Sequence, residues 1–208
     1  MAMISSWPYH LYMNSQYIKE ALESAQSVIN KFIADEQNIV LIDKAVTAFI
    51  TTIQNDGRIL SCGNGGSMCD SMHFVEELTG RYRKDRDPIS AISMGDPGHI
   101  TCVANDYGFE YIFSRHVHAW GRKGDTLLAI STSGNSLNVI KAVEKAHEKG
   151  MKVVGLLGKD GGKLKDMVDI PIIVDCPITD RIQEIHIKLI HIFIEGIERT
   201  IYPKHYEE

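Results

Sequence analysis

Two side chains that can perform acid–base or metal chemistry, and one that carries a fixed positive charge, lie at helical spacing within one short segment. Glu77 follows His73 by four residues, and Arg81 follows Glu77 by four, so the three share one face of a helix. An imidazole and a carboxylate in this arrangement can bind a metal ion or move protons. The alternative is a plain hydrogen bond between His73 and Glu77 on a solvent-facing helix. The spacing therefore favours proton or metal chemistry, with a surface pair as the competing interpretation.

The segment 61–67 (SCGNGGS) leads directly into this helix and follows a short apolar run. Its glycines allow a tight turn, and the free N–H groups at the start of the next helix suit a phosphate. No Lys follows the glycines as a P-loop requires, and Met68 stands where a dinucleotide fingerprint needs its third glycine. A nucleotide cofactor is therefore not expected. A sugar phosphate is favoured over a plain strand-to-helix turn.

A second loop, 131–136 (STSGNS), carries four hydroxyl groups in six residues and follows an apolar run. One Ser or Thr would be enough to cap the following helix. Because four hydroxyls exceed what capping requires, this loop predicts a phosphate site. A third loop, 158–162 (GKDGG), also follows a strand and could be a further ligand loop, but an ordinary turn is favoured.

The elements that must position these loops alternate along the chain. Short apolar runs alternate with helical patterns from residue 58 onward, which predicts a five-stranded parallel sheet in a three-layer α/β/α sandwich. Both loops follow the carboxyl ends of strands, so they converge on one edge. We expect a single domain, 1–208, with 1–56 as an N-terminal helical extension. The predicted strands are 59–62, 89–94, 126–130, 152–157 and 170–174, and the predicted helices include 17–34, 39–55, 137–149 and 180–200.

Composition narrows the functional class further. The chain has 208 residues, 44% hydrophobic and 24% charged, with a net charge of −5. These values are ordinary for a soluble globular protein, and they provide no basic field for nucleic acid. No apolar run is long enough to cross a bilayer, and the N-terminus lacks the features of a signal peptide. We therefore expect a cytoplasmic protein with no nucleic-acid or membrane partner.

The four cysteines form no C-x-x-C pair, so they are expected to be reduced thiols. Two of them, Cys62 and Cys69, lie close to the first loop. A thiol nucleophile or ligand is a minor alternative that the chemistry inferred below does not require.

These motifs together resemble the SIS (sugar isomerase) family and, within it, the phosphoheptose isomerases. The resemblance covers about residues 58–198. The sequence departs from the family pattern at residues 1–16, which include 7–10 (WPYH), and at 93–99, where the segment is longer. Five motifs occur in the family's order: 62–67 (CGNGGS), 73–81 (HFVEELTGR), 105–109 (NDYGF), 131–136 (STSGNS) and 181–186 (RIQEIH).

The resemblance implies an aldose–ketose isomerase that works through an enediol. The implied reaction converts sedoheptulose 7-phosphate to D-glycero-D-manno-heptose 7-phosphate, the first step of ADP/GDP-heptose biosynthesis for lipopolysaccharide or other surface glycans. Glu77 and His191 match the catalytic positions. Positions matched by His73, Glu77, Gln183 and His191 are implied to hold one zinc ion per subunit. Because Glu77 can hardly be both a tight ligand and a free base, the metal scheme and the acid–base scheme compete.

Spacing and resemblance disagree on the last helix. Gln183 and His191 are eight residues apart, about 80° around a helix, whereas Glu184 aligns better with His191. Spacing alone selects Glu184, which could instead form a surface pair with Lys188. The resemblance selects Gln183. The nearby His186 is expected to be a packed histidine.

Further positions are implied to bind substrate. The sugar chain would meet Asn64, Gly65, Gly66 and Ser67, and its hydroxyls would meet Asn105, Asp106, Asp180 and Gln183. The phosphate would be held by Ser131, Thr132, Ser133 and Ser136, with Arg81 supplying charge. Arg81 could instead be a solvated helix terminus, and Asp180 could simply cap the last helix.

The resemblance also implies a homotetramer whose N-terminal helices pack between subunits, with active sites at subunit junctions. From the sequence alone, those helices could equally pack within one subunit. Two functional alternatives stay open: a non-catalytic SIS protein that binds a partner, and an isomerase of another sugar phosphate.

Overall fold

The computed structural model describes residues 15–207; the unmatched segment 7–10 lies outside this range. Five parallel strands form one sheet in the order β2-β1-β3-β4-β5. The strands are β1 (Ile59–Cys62), β2 (Ala91–Ser93), β3 (Thr126–Ser131), β4 (Lys152–Gly158) and β5 (Ile170–Val174). The α-helices are α1 (Ser15–Ala34), α2 (Glu36–Gln54), α3 (Gly66–Thr79), α4 (Pro97–Asp106), α5 (Ile112–Trp120), α6 (Leu137–Glu148) and α7 (Thr179–Ile201).

Helices cover both faces of the sheet, because successive side chains of a strand point to opposite sides. Leu128 and Ile130 of β3 belong to a core shared with α2, α3 and α7. Leu127 and Ala129 of the same strand belong to a second core shared with α5 and α6. The predicted three-layer sandwich with a five-stranded parallel sheet is confirmed. None of the helices within residues 15–207 is both long and apolar enough to cross a membrane.

Helix α2 contributes directly to the first core. Phe49 is fully buried, and its ring centroid lies 5.4 Å from that of Phe74 on α3 and 5.5 Å from that of Phe193 on α7. Asp35 caps the start of α2 through the backbone N–H of Gln37. Helix α1 is less covered and exposes several apolar side chains, among them Leu22 and Ile33.

Helix α7 is the longest helix of the described chain and fixes the position of α3. Its apolar residues recur every three or four positions, which produces one continuous buried face (Ile182, Ile185, Leu189, Phe193 and Ile197). Helices α3 and α7 pack side by side, both at the first core. Strands β1 and β3 are parallel neighbours, and Cys62, the last residue of β1, lies beside Ala129, two residues before the end of β3. The loops that follow them therefore meet at one edge of the sheet, as predicted.

Candidate active site

The first loop turns at Gly65, whose φ of 55° is in the left-handed region, and α3 begins at the next residue without a side-chain cap. Asn64 makes a reciprocal amide pair with Asn138 on α6: Asn64 Nδ2 donates to Asn138 Oδ1 at 2.9 Å, and Asn138 Nδ2 donates to Asn64 Oδ1 at 2.8 Å. Asn138 is buried. The Asn64 side chain, expected to meet the sugar chain, is thus engaged in bracing the two loops against each other.

The second loop presents hydroxyls that the helix cap does not use. Ser136 occupies the N-cap of α6 but makes no side-chain cap hydrogen bond. Its Oγ lies 3.1 Å from the Oγ of the buried Ser131. Thr132 and Ser133 are half-buried. The arrangement leaves a cluster of neutral donors at the end of β3 and disfavours a capping role as the reason for it.

The third loop, 158–162, packs against the second loop, 131–136. Gly134 has a φ of 63°, and a Cβ there would overlap the carbonyl oxygen of Gly161. The backbone N–H of Leu164 donates to Gly134 O at 3.0 Å, and that of Lys163 donates to Asn135 Oδ1 at 3.1 Å. Loop 158–162 is therefore a turn that shapes the hydroxyl loop.

Two helices bring three reactive side chains to one point. His73 and Glu77 of α3 and His191 of α7 each offer an atom within 4.8 Å of the others. The Nε2 atoms of His73 and His191 are 3.0 Å apart, and His73 Nε2 lies 3.5 Å from Glu77 Oε1. The Glu77 side chain is 14% exposed and that of His73 is 36% exposed. The cluster is thus accessible to a small molecule while largely enclosed.

The surroundings favour the uncharged forms of Glu77 and His191. Burial, followed by the charge of Glu76, raises the pKa of Glu77, while His73 and Arg86 oppose the shift. Burial, followed by the neighbouring His73, lowers the pKa of His191. A carboxyl that holds a proton more readily and an imidazole that holds one less readily are suited to exchanging protons with a substrate near neutral pH.

The side chains of Gln183 and Glu184 lie in different environments. The Gln183 amide lies against the start of α3, where a Cβ on Gly66 would overlap its Nε2. Glu184 is exposed and pairs with Arg181. The choice based on helical spacing, Glu184, therefore points to solvent, and Gln183 is the residue beside the first loop.

Helices α3 and α7 contact each other at three levels, which follow in the same order along both helices. Gly66 meets Gln183 at the start, and His73 meets His191 in the middle. At the end of α3, Arg86 links the Glu77 carbonyl to Glu198. The two helices therefore run in the same direction, with the cluster between an upper and a lower contact.

Sequence reasoning missed the lower contact. The side chains of Arg86 and Glu198 are both fully buried and lie 2.7 Å apart, and Tyr206 Oη donates to Glu198 Oε2 at 2.9 Å. Arg86 stands in a charge-rich stretch typical of a solvated loop. One signal was available: Glu198 follows Ile194 by four residues, on the buried face of α7. The same loop places Tyr82 against His191, with ring centroids 6.0 Å apart.

Several predicted binding residues outside the two loops lie at the surface of the described chain. Arg81 is exposed beyond α3. Asn105 and Asp106 are exposed at the end of α4, where Asn105 Nδ2 donates to Asp106 Oδ1 at 2.8 Å. Asp180 lies in the first turn of α7, whose N-cap is Ile178. Asp180 is therefore not the cap of α7, and its carboxylate pairs with Arg181 at 3.5 Å.

Two other residues with reactive side chains, Cys62 and His186, are too deeply buried to take part in the chemistry. Burial raises the pKa of the Cys62 thiol to about 12, so this residue is a poor nucleophile. The fully buried His186 contacts Leu157 O through Nε2 at 3.0 Å, and burial lowers its pKa to about 4. His186 is thus packed, as expected.

The residues present fit a zinc ion. The cluster offers two imidazole nitrogens and a carboxylate oxygen, which are typical zinc ligands. Two nitrogens bound tetrahedrally at about 2.05 Å would be roughly 3.4 Å apart. The observed separations of 3.0 Å between the Nε2 atoms and 3.5 Å between His73 and Glu77 lie close to that value.

Comparisons with known proteins agree with this fold. Residues 16–158 match the SIS domain family model. A phosphoheptose isomerase of Aeromonas hydrophila is 53% identical over 190 residues, covering 91% of this chain and 99% of that protein. The solved structure of the Neisseria gonorrhoeae phosphoheptose isomerase is 39% identical with a TM-score of 0.83, covering 88% and 98% of the two chains. That of the Francisella tularensis enzyme is 36% identical with a TM-score of 0.85, covering 88% and 97%.

A five-stranded parallel sheet with polar loops at one edge, together with the family match, makes this chain a SIS-domain protein. Within that class it belongs to the phosphoheptose isomerase family, a family of aldose–ketose isomerases. The predicted fold, family and enzyme class are thereby confirmed.

Proposed function

We propose that the protein converts sedoheptulose 7-phosphate to D-glycero-D-manno-heptose 7-phosphate through an enediol, the first step of ADP/GDP-heptose biosynthesis. The observation that carries the proposal is the meeting of Glu77 and His191 in one cluster, within 4.8 Å, at helices that begin beside two polar loops. The family's curated relatives are named phosphoheptose isomerases, which supports a heptose phosphate as substrate.

Substrate binding follows from the chemistry of the loops. The hydroxyls of Ser131, Thr132, Ser133 and Ser136 would donate to phosphate oxygens without adding positive charge. The backbone of Gly65, Gly66 and Ser67 would line the sugar chain next to them, with Asn64 holding that loop in place. Hydroxyls of the sugar would be met by Gln183 and by the exposed polar residues Arg81, Asn105, Asp106 and Asp180.

Two groups would move the protons. Glu77 would take a proton from C1 of the ketose and return it to C2, a role suited to its raised pKa. His191 would transfer a proton between the oxygens on C2 and C1. Its lowered pKa keeps the imidazole neutral, so one nitrogen can accept a proton while the other donates.

Zinc is proposed as the cofactor, one ion per subunit. His73, Glu77, Gln183 and His191 would hold it, and it would supply polarisation of the substrate oxygens. The donor set of the cluster supports this assignment. If Glu77 is a ligand it is not free to act as the base, so the metal scheme and the acid–base scheme give opposite results on chelation.

We also propose a homotetramer in the cytoplasm, built from one domain per chain, with active sites at subunit junctions. Apolar side chains that helices α1 and α2 expose support the assembly, since such surface is costly in water. They include Tyr17, Leu22, Ile33, Ile39 and Val40. Light scattering on the purified protein would give the mass of the particle directly.

The function is tested by incubating the protein with sedoheptulose 7-phosphate in D₂O and following the sugar by NMR. The expected result is an aldoheptose phosphate with deuterium at C2. Activity that is lost with chelator and restored by zinc supports the metal scheme, whereas activity that persists after the metal is verified as removed supports Glu77 and His191 alone. No turnover by folded protein refutes the proposed reaction and directs the search to other sugar phosphates or to a binding role.

A further inference from the structure

Helix α3 ends in an unusual way, because its last carbonyl groups face a buried arginine. The last four carbonyls of any α-helix lack partners within the helix. Here Arg86 Nη2 donates to Glu77 O at 2.6 Å and Arg86 Nη1 donates to Leu78 O at 2.8 Å. A positive charge at this end also complements the helix dipole. The guanidinium therefore fixes the peptide of the residue whose carboxylate enters the cluster.

The same guanidinium is anchored to α7. Arg86 Nε donates to Glu198 Oε1 at 2.7 Å, and both side chains are fully buried. Glu198 lies seven residues, two helical turns, beyond His191. Tyr206 holds the second carboxylate oxygen of Glu198 at 2.9 Å. A single planar group thus connects the end of α3, at Glu77, to the helix that carries His191.

We infer that Arg86 is a positioning residue: it sets the separation of Glu77 and His191 by joining the Glu77 carbonyl to Glu198. The inference rests on the proposed function of the cluster. Capping a helix does not by itself require a buried guanidinium, because an arginine can donate to the last carbonyls of a helix from solvent. The burial of Arg86 therefore indicates a second role. Arg122 provides that contrast: it is exposed, and its Nη1 donates to the carbonyls of Ala119 and Gly121 at the end of α5.

The decisive variant is Arg86→Lys, with Arg122→Lys as the matched control. Lysine keeps the charge but lacks the planar fork that reaches two carbonyls and a carboxylate together. Since misplacement of about 1 Å can reduce turnover about a hundredfold, we expect kcat of Arg86→Lys to fall at least tenfold at a temperature where it is folded. KM should stay within threefold, because the loop residues that bind the sugar phosphate are untouched. Arg122→Lys should match the wild type.

A second readout is independent of turnover. Titration with Co²⁺, followed by its visible absorption, reports whether His73, Glu77 and His191 still converge. We expect Arg86→Lys to bind Co²⁺ at least tenfold more weakly than the wild type and Arg122→Lys. This measurement tests the positioning even if the wild type does not isomerise the heptose phosphate, an outcome that would refute the proposed function alone.

The inference is overturned if folded Arg86→Lys loses less than tenfold in kcat and less than tenfold in Co²⁺ affinity. It is also overturned if Arg122→Lys shows losses equal to those of Arg86→Lys. A lowered melting temperature with unchanged kcat also overturns it, because it shows a structural role only. If Arg86→Lys does not fold, Glu198→Gln decides: it keeps the two carbonyl contacts and loses only the charge of the anchor. Its kcat is then expected to fall at least threefold with KM unchanged, and a smaller fall refutes the positioning role.

Discussion

Two groups of side chains lie between α3 and α7, and they differ in how their charges are matched. One is the cluster of His73, Glu77 and His191, and the other is the network of Arg86, Glu198 and Tyr206. In the network, opposite charges and hydrogen bonds are matched in a fully buried place. In the cluster, two imidazole nitrogens face each other at 3.0 Å, and the surroundings raise the pKa of Glu77 and lower that of His191. The network joins the helices through matched charges, whereas the cluster, in the proposed function, serves a ligand.

The first test of this contrast is Glu77→Gln, for which the largest effect is expected. Loss of the carboxylate removes the proposed base, and positioned acid–base groups contribute about 10²–10⁴-fold. We therefore expect kcat to fall about a thousandfold while the melting temperature stays near that of the wild type. Glu76→Gln, one residue away and 65% exposed, is the control and should retain most activity. A Glu77→Gln protein with substantial turnover would contradict the assignment.

In the network, the larger effect is expected on stability, with the smaller loss of kcat given above. Glu198→Gln leaves the Arg86 charge buried without its counter-ion, and such a change costs about 3–5 kcal/mol of unfolding free energy. Urea unfolding followed by circular dichroism measures this loss. Glu195→Gln is the matched control on the same helix, because Glu195 binds Arg83 and Arg199 near the surface and such pairs contribute about 1 kcal/mol or less. Similar losses in both variants would remove the contrast.

The difference between the regions extends to two histidines of α7. His191 lies in the cluster, whereas His186 is fully buried and its pKa is lowered to about 4. A histidine whose folded pKa is lowered stabilises the fold above its unfolded pKa, near 6.5, and that stability is lost as the pH falls toward 4. A shift of this size corresponds to about 3 kcal/mol.

We therefore expect the unfolding free energy to decrease as the pH falls from 6.5 to 4. His186→Gln removes this titration and can still donate to the Leu157 carbonyl, so it should make the decrease smaller. Urea unfolding at several pH values measures it, with His118→Gln on the surface of α5 as the control. His116, whose pKa burial also lowers to about 4, accounts for part of the decrease that stays. An unchanged pH dependence in His186→Gln would show that His186 is not its source.

Much of the fold could be predicted because its signals are local. The strands at 59–62 and 170–174 were predicted with the observed ends, and the α6 and α7 boundaries agree within one residue. The predicted strand 89–94 is shorter, Ala91–Ser93, because only those residues pair with β1. Apolar runs show that a strand is buried, but the length that pairs depends on the neighbouring strand.

The candidate site was only partly accessible from sequence. Helical spacing brought His73 and Glu77 together, but it selected Glu184 in place of Gln183. That choice depends on how α7 is rotated against α3, which is set by packing between distant segments. Arg86 was missed for the same reason, since its partner lies 112 residues away and its own neighbours are typical of a surface loop.

The amide pair between Asn64 and Asn138 has a consequence for engineering the sugar preference. Each side chain donates to and accepts from the other, so each is complementary to another amide and not to a carboxylate or an aliphatic group. The loops after β1 and β3 are consequently held together as a single structural unit, although the paired residues are 74 positions apart. Directed evolution toward shorter or longer sugars would have to randomise both codons together, because either change alone leaves a mismatched partner.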